Sequence, residues 1–292
     1  MTEQAGLGSE IGILLFRSPS KRGVISTLAD FFERYGFEIV SFQEFLIAGD
    51  FVARVTWRQP ESRIDVTFIR QQLAAVQVEF EAQIDAYVSS KPQSIGLLAS
   101  GHKKLVSDML AKCESGELTQ GSISFVLSQD ESMGPIVNRF GVPFFLVGQD
   151  SAIETERKAQ EIVRRYRPSI VGVANFGQEL SAKYVSECDS AIFSVQTGFL
   201  PVAEGVAKVE HSNQWAARAG ARLMVSSTYF LTGEVNQNTI IDQNARDLPV
   251  AVTLAEIESI RDEAESSLFV STMELLLRHK VLQQDKRCVV FQ

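Results

Sequence analysis

The sequence predicts an α/β protein in two parts, a small N-terminal module and a larger domain built on a mostly parallel sheet. Up to about Ser89, strand-like runs are interrupted by two helical patterns, whereas after Pro92 short apolar runs alternate regularly with helical patterns. The chain has 292 residues, which is enough for two domains. We expect the module to span residues 1–90, a linker to span 91–93, and the second domain to span 94–292.

The N-terminal module begins with an apolar strand from Ile11 to Phe16, followed by a helical pattern that stops at Gly36. Two further strands are predicted on either side of the turn signal Ala48-Gly49-Asp50. A second helix over about Asp65 to Phe80 and a strand over 81–89 complete the module. This order of elements is the ferredoxin-like split βαβ pattern.

The second part alternates predicted strands with predicted helices. The strands are Ser94–Ala99, Ser122–Leu127, Phe144–Val147 and Ser169–Ala174, and the helices are Lys103–Lys112, Met133–Phe140 and Glu154–Arg165. A later stretch, Ala191–Pro201, is typical of a buried strand that runs into a Gly/Pro turn. Such alternation favours parallel pairing with right-handed crossovers, and therefore a doubly wound sheet.

Composition and charge argue against several classes of partner and cofactor. The formal net charge is −8, which disfavours a nucleic-acid partner, and no apolar run approaches the roughly 18 residues of a membrane span. The three cysteines and three histidines are scattered, so we expect a cytoplasmic protein without a metal site. No glycine-rich nucleotide motif is present, and we expect no tightly bound cofactor.

Several motifs resemble those of formyltetrahydrofolate deformylases, in the same order along the chain. They are Gly116-Glu-Leu118, Phe140-Gly-Val-Pro-Phe144, Ala174–Ser181, Ile240-Ile-Asp-Gln243 and Arg287-Cys-Val-Val-Phe291. The N-terminal segment Ser18-Pro-Ser-Lys-Arg-Gly-Val24 resembles the opening ACT module of that family. The resemblance implies an ACT domain followed by a formyltransferase-like domain, with a tetrahydrofolate derivative as substrate or ligand in one-carbon metabolism. It also implies a homodimer or homotetramer that assembles through the ACT-like domain.

The resemblance places the catalytic Asn, His and Asp of the family at Ser194, Gln196 and Asn236, so all three are substituted. Its folate-binding positions fall on Phe176, Gly177, Gln178, Leu180 and Asn238. Formyl hydrolysis needs a proton-transfer group and a donor aimed at the developing oxyanion. Neither Gln196 nor Asn236 titrates usefully, so ancestral activity is expected to be weak, altered or lost.

Three other groups are candidate substitutes for the missing acid–base chemistry: Glu234, His211 and Asp242. Two hypotheses therefore stay open. One is an enzyme with a rebuilt site that converts 10-formyltetrahydrofolate and water to tetrahydrofolate and formate. The other is a non-catalytic folate sensor or partner subunit that keeps the fold.

Overall fold

The structure is a computed structural model, and it describes residues 10–59, 63–148, 151–177, 180–197, 220–232, 239–284 and 287–292. The chain divides into two compact units. The first comprises Met1–Lys91 together with Arg278–Leu282 and Phe291–Gln292, and the second comprises Pro92–Leu277 and Gln283–Val290.

The first unit contains a four-stranded antiparallel sheet with helices in the split βαβ order. Its elements are β1 (Ile11–Pro19), α1 (Val24–Arg34), β2 (Glu38–Ile47), β3 (Asp50–Arg58), α2 (Val66–Gln72), α3 (Ala74–Phe80) and β4 (Gln83–Val88). The strands lie in the order β2-β3-β1-β4. This arrangement confirms the predicted fold of the N-terminal module.

Local sequence explains how the elements of this sheet begin and end. Ala48 and Gly49 both have positive φ, 51° and 93°, which is the backbone that a tight two-residue hairpin requires. The Asp65 carboxylate accepts hydrogen bonds from the amides of Thr67 and Phe68 and so caps α2. The single helix predicted over 65–80 is divided at Leu73, which is buried and has a ψ of −2°.

Large aromatic side chains fill the core of the first unit. Phe16, Phe32 and Trp57 are fully buried, and the Phe32 and Trp57 rings lie 5.3 Å apart between centroids. Full burial of a large apolar side chain stabilises a fold by roughly 1.5–3 kcal/mol. These residues come from β1, α1 and β3, so the core fixes helix and sheet against each other.

The second unit is organised around a seven-stranded sheet. Its elements are β5 (Gln93–Ala99), α4 (Lys103–Glu114), β6 (Gly121–Ser128), a 3-10 turn (Glu131–Met133), α5 (Gly134–Asn138), β7 (Phe144–Leu146), α6 (Ala152–Tyr166), β8 (Ile170–Ala174), α7 (Ala182–Ser186), β9 (Ala191–Thr197), β10 (Leu223–Phe230), β11 (Thr239–Asp247), α8 (Leu254–Leu277), β13 (Arg287–Val290) and the second half of β12 (Val281–Gln284). β12 and β13 form a separate two-stranded ribbon.

The central sheet has the order β11-β10-β9-β8-β5-β6-β7. The five strands β9, β8, β5, β6 and β7 are parallel to one another, whereas β10 pairs antiparallel with both β9 and β11. The predicted doubly wound, mostly parallel sheet is therefore confirmed. Since the order of strands reverses between β5 and β8, the carboxyl ends of these two strands mark the switch point of the sheet.

The predicted helix over 133–140 is shorter in the structure than expected. A 3-10 turn precedes it, and α5 ends at Asn138, with proline in its first turn. Proline is favoured at the start of a helix because its missing amide would have no intrahelical partner there. Among the described helices, none is long and apolar enough to cross a membrane.

Candidate functional site

The carboxyl edge of the central sheet carries a polar rim. β5 is followed by Ser100, Gly101 and His102, and the parallel strand β9 ends at Thr197 on the same edge. The Ser100 hydroxyl oxygen accepts a 3.0 Å hydrogen bond from the amide of Gln129, which follows β6. Open α/β sheets bind ligands in the crevice outside these strand ends, so the fold predicts a ligand site at this rim.

Two of the three positions that the resemblance predicts for the catalytic residues lie together on β9. Ser194 pairs across the ladder with Tyr229, and Gln196 pairs with Ser227, which places all four residues on one face of the sheet. Ser194 is 8% exposed, and its hydroxyl donates to the carbonyl of Val173 at 3.1 Å. Asn236, the third position, lies outside the described residues.

The Gln196 side chain is held by a neighbouring strand. Its Oε1 accepts a 2.9 Å hydrogen bond from the Tyr229 hydroxyl. With its oxygen engaged in this way, the amide offers its NH2 group as a donor. The Ser194–Gln196 pair can therefore position a polar ligand by hydrogen bonding, but it cannot exchange protons with one as an imidazole would.

The predicted folate loop after β8 contains both core residues and a close backbone approach. Phe176 is 2% exposed and packs in the apolar core of this unit with Tyr184 and Ile192. Leu180 is half-buried against the same core. Both side chains therefore contribute to packing, while Gln178 lies outside the described residues.

Gly177 in this loop has a backbone that only glycine accepts. Its φ is +89°, and a Cβ atom at this position would lie 2.3 Å from Oε1 of Gln129. The missing side chain lets the loops that follow β6 and β8 approach each other at the sheet edge.

Of the three candidate substitutes, only Asp242 lies within the described residues, and its strand does not adjoin that of Gln196. Asp242 lies on β11, which is separated from β9 by β10. Its Oδ1 accepts a 2.8 Å hydrogen bond from the amide of Gln243. Glu234, His211 and Asn238 lie outside the described residues.

The structure also reveals a buried polar cluster that sequence reasoning missed. Oε1 of Glu265 accepts a 2.6 Å hydrogen bond from Thr197, and its Oε2 lies 3.1 Å from Nε2 of His102. The Ser226 hydroxyl lies 3.3 Å from that of Thr197. The available signal was a carboxylate just before the apolar run Leu268-Phe-Val270, on a helix that the sequence reading did not assign.

Two of the cysteines are poor candidates for nucleophiles. Burial raises the pKa of the Cys113 thiol to about 11 and that of the Cys288 thiol to about 12. Because the thiolate is the reactive form, both side chains are largely unreactive at neutral pH.

No protein-family model matches this sequence. The chain is similar to the formyltetrahydrofolate deformylase of Bacillus subtilis, with 20% identity over 285 residues that cover 96% of this chain and 93% of that protein. The corresponding protein of Mycobacterium tuberculosis is 21% identical over 289 residues, covering 97% of this chain and 91% of that protein.

Solved structures show the same relationship in the fold. A formyltetrahydrofolate deformylase from Pseudomonas syringae matches with a TM-score of 0.89 at 19% identity, covering 99% of this chain and 96% of that one. Glycinamide ribonucleotide transformylase 1 from Symbiobacterium toebii matches with a TM-score of 0.62 at 18% identity, covering 70% of this chain and 97% of that one. Sequence and fold together therefore support the resemblance of this chain to formyltetrahydrofolate deformylases over nearly its whole length.

Proposed function

We propose that this chain is a deformylase-like protein of one-carbon metabolism that binds a tetrahydrofolate derivative at the carboxyl edge of its central sheet. On this proposal, it hydrolyses 10-formyltetrahydrofolate to tetrahydrofolate and formate far more slowly than an enzyme with the family Asn, His and Asp. Ser194, Gln196 and Asn236 occupy the three substituted positions, and Phe176, Gly177, Gln178, Leu180 and Asn238 the folate-binding ones.

The observation that carries this proposal is that Ser194 and Gln196 lie on the same face of β9. Both side chains stay polar, and both are held by protein partners, Val173 and Tyr229. Such a surface retains hydrogen-bonding groups for a ligand. Neither of these two side chains is an acid or base that titrates near neutrality, which is what efficient proton transfer to a leaving group requires.

The expected rate of formyl hydrolysis follows from the lack of a general acid or base at Ser194, Gln196 and Asn236. A positioned general acid or base contributes roughly 10²–10⁴-fold to a rate. Donors aimed at a developing oxyanion contribute a further factor, and the Ser194 hydroxyl is already committed to a backbone carbonyl. Hydrolysis is therefore expected to be slow, while folate binding is expected to persist.

Restoring the family residues tests this proposal directly. The triple variant Ser194→Asn, Gln196→His, Asn236→Asp is expected to raise the rate of formate release by about 100-fold or more over the unmodified chain. Formate release from 10-formyltetrahydrofolate is measured against a no-protein control, and tetrahydrofolate binding is measured by calorimetry. Gln71→His is a matched control, since Gln71 is an exposed residue of α2 in the first unit.

The calorimetry separates the remaining outcomes. Saturable folate binding without formate release in the unmodified chain supports the second candidate, a non-catalytic folate sensor or partner subunit. Absence of binding to any tetrahydrofolate derivative in a folded protein contradicts both candidates. If the Gln71→His control gains activity equally, the recovered rate does not come from the proposed site.

The sequence offers three candidate substitutes for the missing acid–base chemistry, Glu234, His211 and Asp242. Their removal is expected to leave folate binding unchanged. If the unmodified chain does release formate, a loss of that rate in Glu234→Gln or His211→Gln would identify the rebuilt acid–base group.

A further inference from the structure

The buried polar cluster lies at the switch point of the central sheet, on the face covered by α8. His102 is the residue that precedes α4, directly after the loop at the end of β5. Asp262 and Glu265 are three residues apart on α8, which places them on one side of that helix. His102 is 8% exposed and Glu265 is 4% exposed.

The ligand atoms of these three residues converge. One imidazole nitrogen and one oxygen from each carboxylate all lie within 4.8 Å of one another. Two of these atoms, Nε2 of His102 and Oε2 of Glu265, are 3.1 Å apart. Metal–ligand bonds of about 2.0–2.2 Å place neighbouring ligands roughly 3–3.5 Å apart, so this pair already has the spacing that a bound cation needs.

The surrounding contacts hold the ligands in place. The second oxygen of Glu265 is fixed by the Thr197 hydroxyl at 2.6 Å, which orients the carboxylate. Such outer contacts to ligating groups tune a metal site. Arg261 contacts Asp262 through Oδ1 at 2.8 Å, so among the described residues the other oxygen of that carboxylate has no protein partner.

The charges in the cluster also favour a cation. Two carboxylates face one imidazole, and the Arg261 guanidinium offsets one of their charges through Asp262, which leaves one negative charge beside the imidazole. The nearby ammonium of Lys104 is engaged by Asp108 at 3.0 Å and by Glu263 at 3.3 Å. A simple hydrogen-bonded pair would need only one carboxylate beside His102. The second carboxylate, that of Asp262, is 42% exposed and connects the buried pair to solvent.

We propose that His102, Asp262 and Glu265 form a site for a divalent transition metal, with Zn²⁺ as the favoured ion. An imidazole combined with carboxylates suits borderline cations better than Mg²⁺ or Ca²⁺, which prefer oxygen ligands alone. Three protein ligands leave a coordination position open to water or a small anion. This inference goes beyond the proposed folate function and does not depend on it.

The experiment is a calorimetric titration of the chelator-treated full chain with Zn²⁺, with Mg²⁺ as the counter-probe. One equivalent of Zn²⁺ is expected to bind, and His102→Gln or Glu265→Gln is expected to weaken that binding at least tenfold. Asp262→Asn should weaken it as well, and this partly exposed position provides a variant whose fold is easily retained. Circular dichroism verifies the fold of each variant.

Glu263→Gln is the matched control, since it removes the same charge from the same helix at a carboxylate that faces Lys104. It is expected to bind Zn²⁺ as the unmodified chain does. The proposal is overturned if no saturable binding occurs, if folded His102→Gln and Asp262→Asn bind Zn²⁺ unchanged, or if Glu263→Gln weakens binding equally. In that case the cluster is a buried polar contact between His102 and Glu265.

Discussion

At the scale of single residues, His279 in the first unit shows how the fold changes the pKa of a side chain. Its ring stacks on Tyr87 with centroids 3.6 Å apart, and its backbone has a positive φ of 49°. The Arg54 guanidinium donates to the carbonyls of Arg278 and His279, both at 3.0 Å. Burial, and then the positive charge of Arg54, lowers the pKa of His279 to about 4.

Because the pKa of His279 differs between the folded and the unfolded chain, the free energy of unfolding depends on pH. In the unfolded chain the histidine binds a proton below about pH 6.5, whereas in the folded chain it stays neutral down to about pH 4. The stabilising contribution is therefore complete above about pH 6.5 and is lost as the pH falls towards 4. Urea unfolding at pH 7 and pH 5 is expected to show a loss on the order of 1–2 kcal/mol at the lower pH.

His279→Asn is the variant that isolates this effect, because asparagine tolerates positive φ and does not titrate. The variant is expected to lose about 1–2 kcal/mol less than the unmodified chain between the two pH values, whatever its absolute stability. An unchanged pH dependence in this variant would contradict the assignment to His279.

At the scale of elements, α8 connects the core of the second unit to the candidate metal site. Phe269 on this helix stacks on Phe193 of β9 with ring centroids 4.6 Å apart. The helix begins with reciprocal bonds, in which the Thr253 amide donates to Glu256 at 2.8 Å and the Glu256 amide donates to the Thr253 hydroxyl at 3.3 Å. This is a capping box, in which each side chain accepts a hydrogen bond from the otherwise unpaired amide of the other residue.

Removing the cap should destabilise the second unit without disturbing its core. Thr253→Ala is expected to lower the free energy of unfolding by about 1 kcal/mol. Thr253→Ser keeps the hydroxyl and is expected to retain most of that stability. Urea denaturation measures both variants, and equal loss in the serine variant would show that the methyl group, rather than the cap, is responsible.

At the scale of the whole molecule, we propose that the chain self-associates through its first unit. The edge strand β2 exposes apolar side chains, among them Val40 at 48% and Leu46 at 67%. An exposed apolar edge strand is a template for pairing with another chain. The homodimer or homotetramer implied by the family resemblance is the expected product.

Leu46→Lys is expected to shift the protein towards the monomer, because a lysine on an edge strand opposes pairing. Light scattering coupled to size-exclusion chromatography over a range of concentrations measures this shift. Val78→Lys is the control, since Val78 is 80% exposed on α3 and not on the sheet edge. A mass distribution unchanged by Leu46→Lys would place the interface elsewhere.

The domain limits near 91–93 stay a prediction, which limited proteolysis tests.

Local patterns were sufficient for much of the architecture. Apolar runs and turn residues such as Ala48-Gly49 predicted the strands of the first unit, and strand–helix alternation predicted the parallel sheet of the second. The i, i+2 spacing of Ser194 and Gln196 also placed both on one strand face, as alternation along a strand requires. These features depend on neighbours in sequence, and a sequence contains that information directly.

The buried cluster could be found only in three dimensions. His102 and Glu265 are distant in sequence, and their 3.1 Å contact exists because α4, which His102 precedes, packs against α8. The sequence by itself determined the fold class, whereas the substitution of the acid–base residues at Ser194, Gln196 and Asn236 stays a prediction from the family resemblance. Only the tertiary structure decided that Phe176 is a core residue and that His102, Asp262 and Glu265 converge, because burial and convergence arise from packing between distant segments.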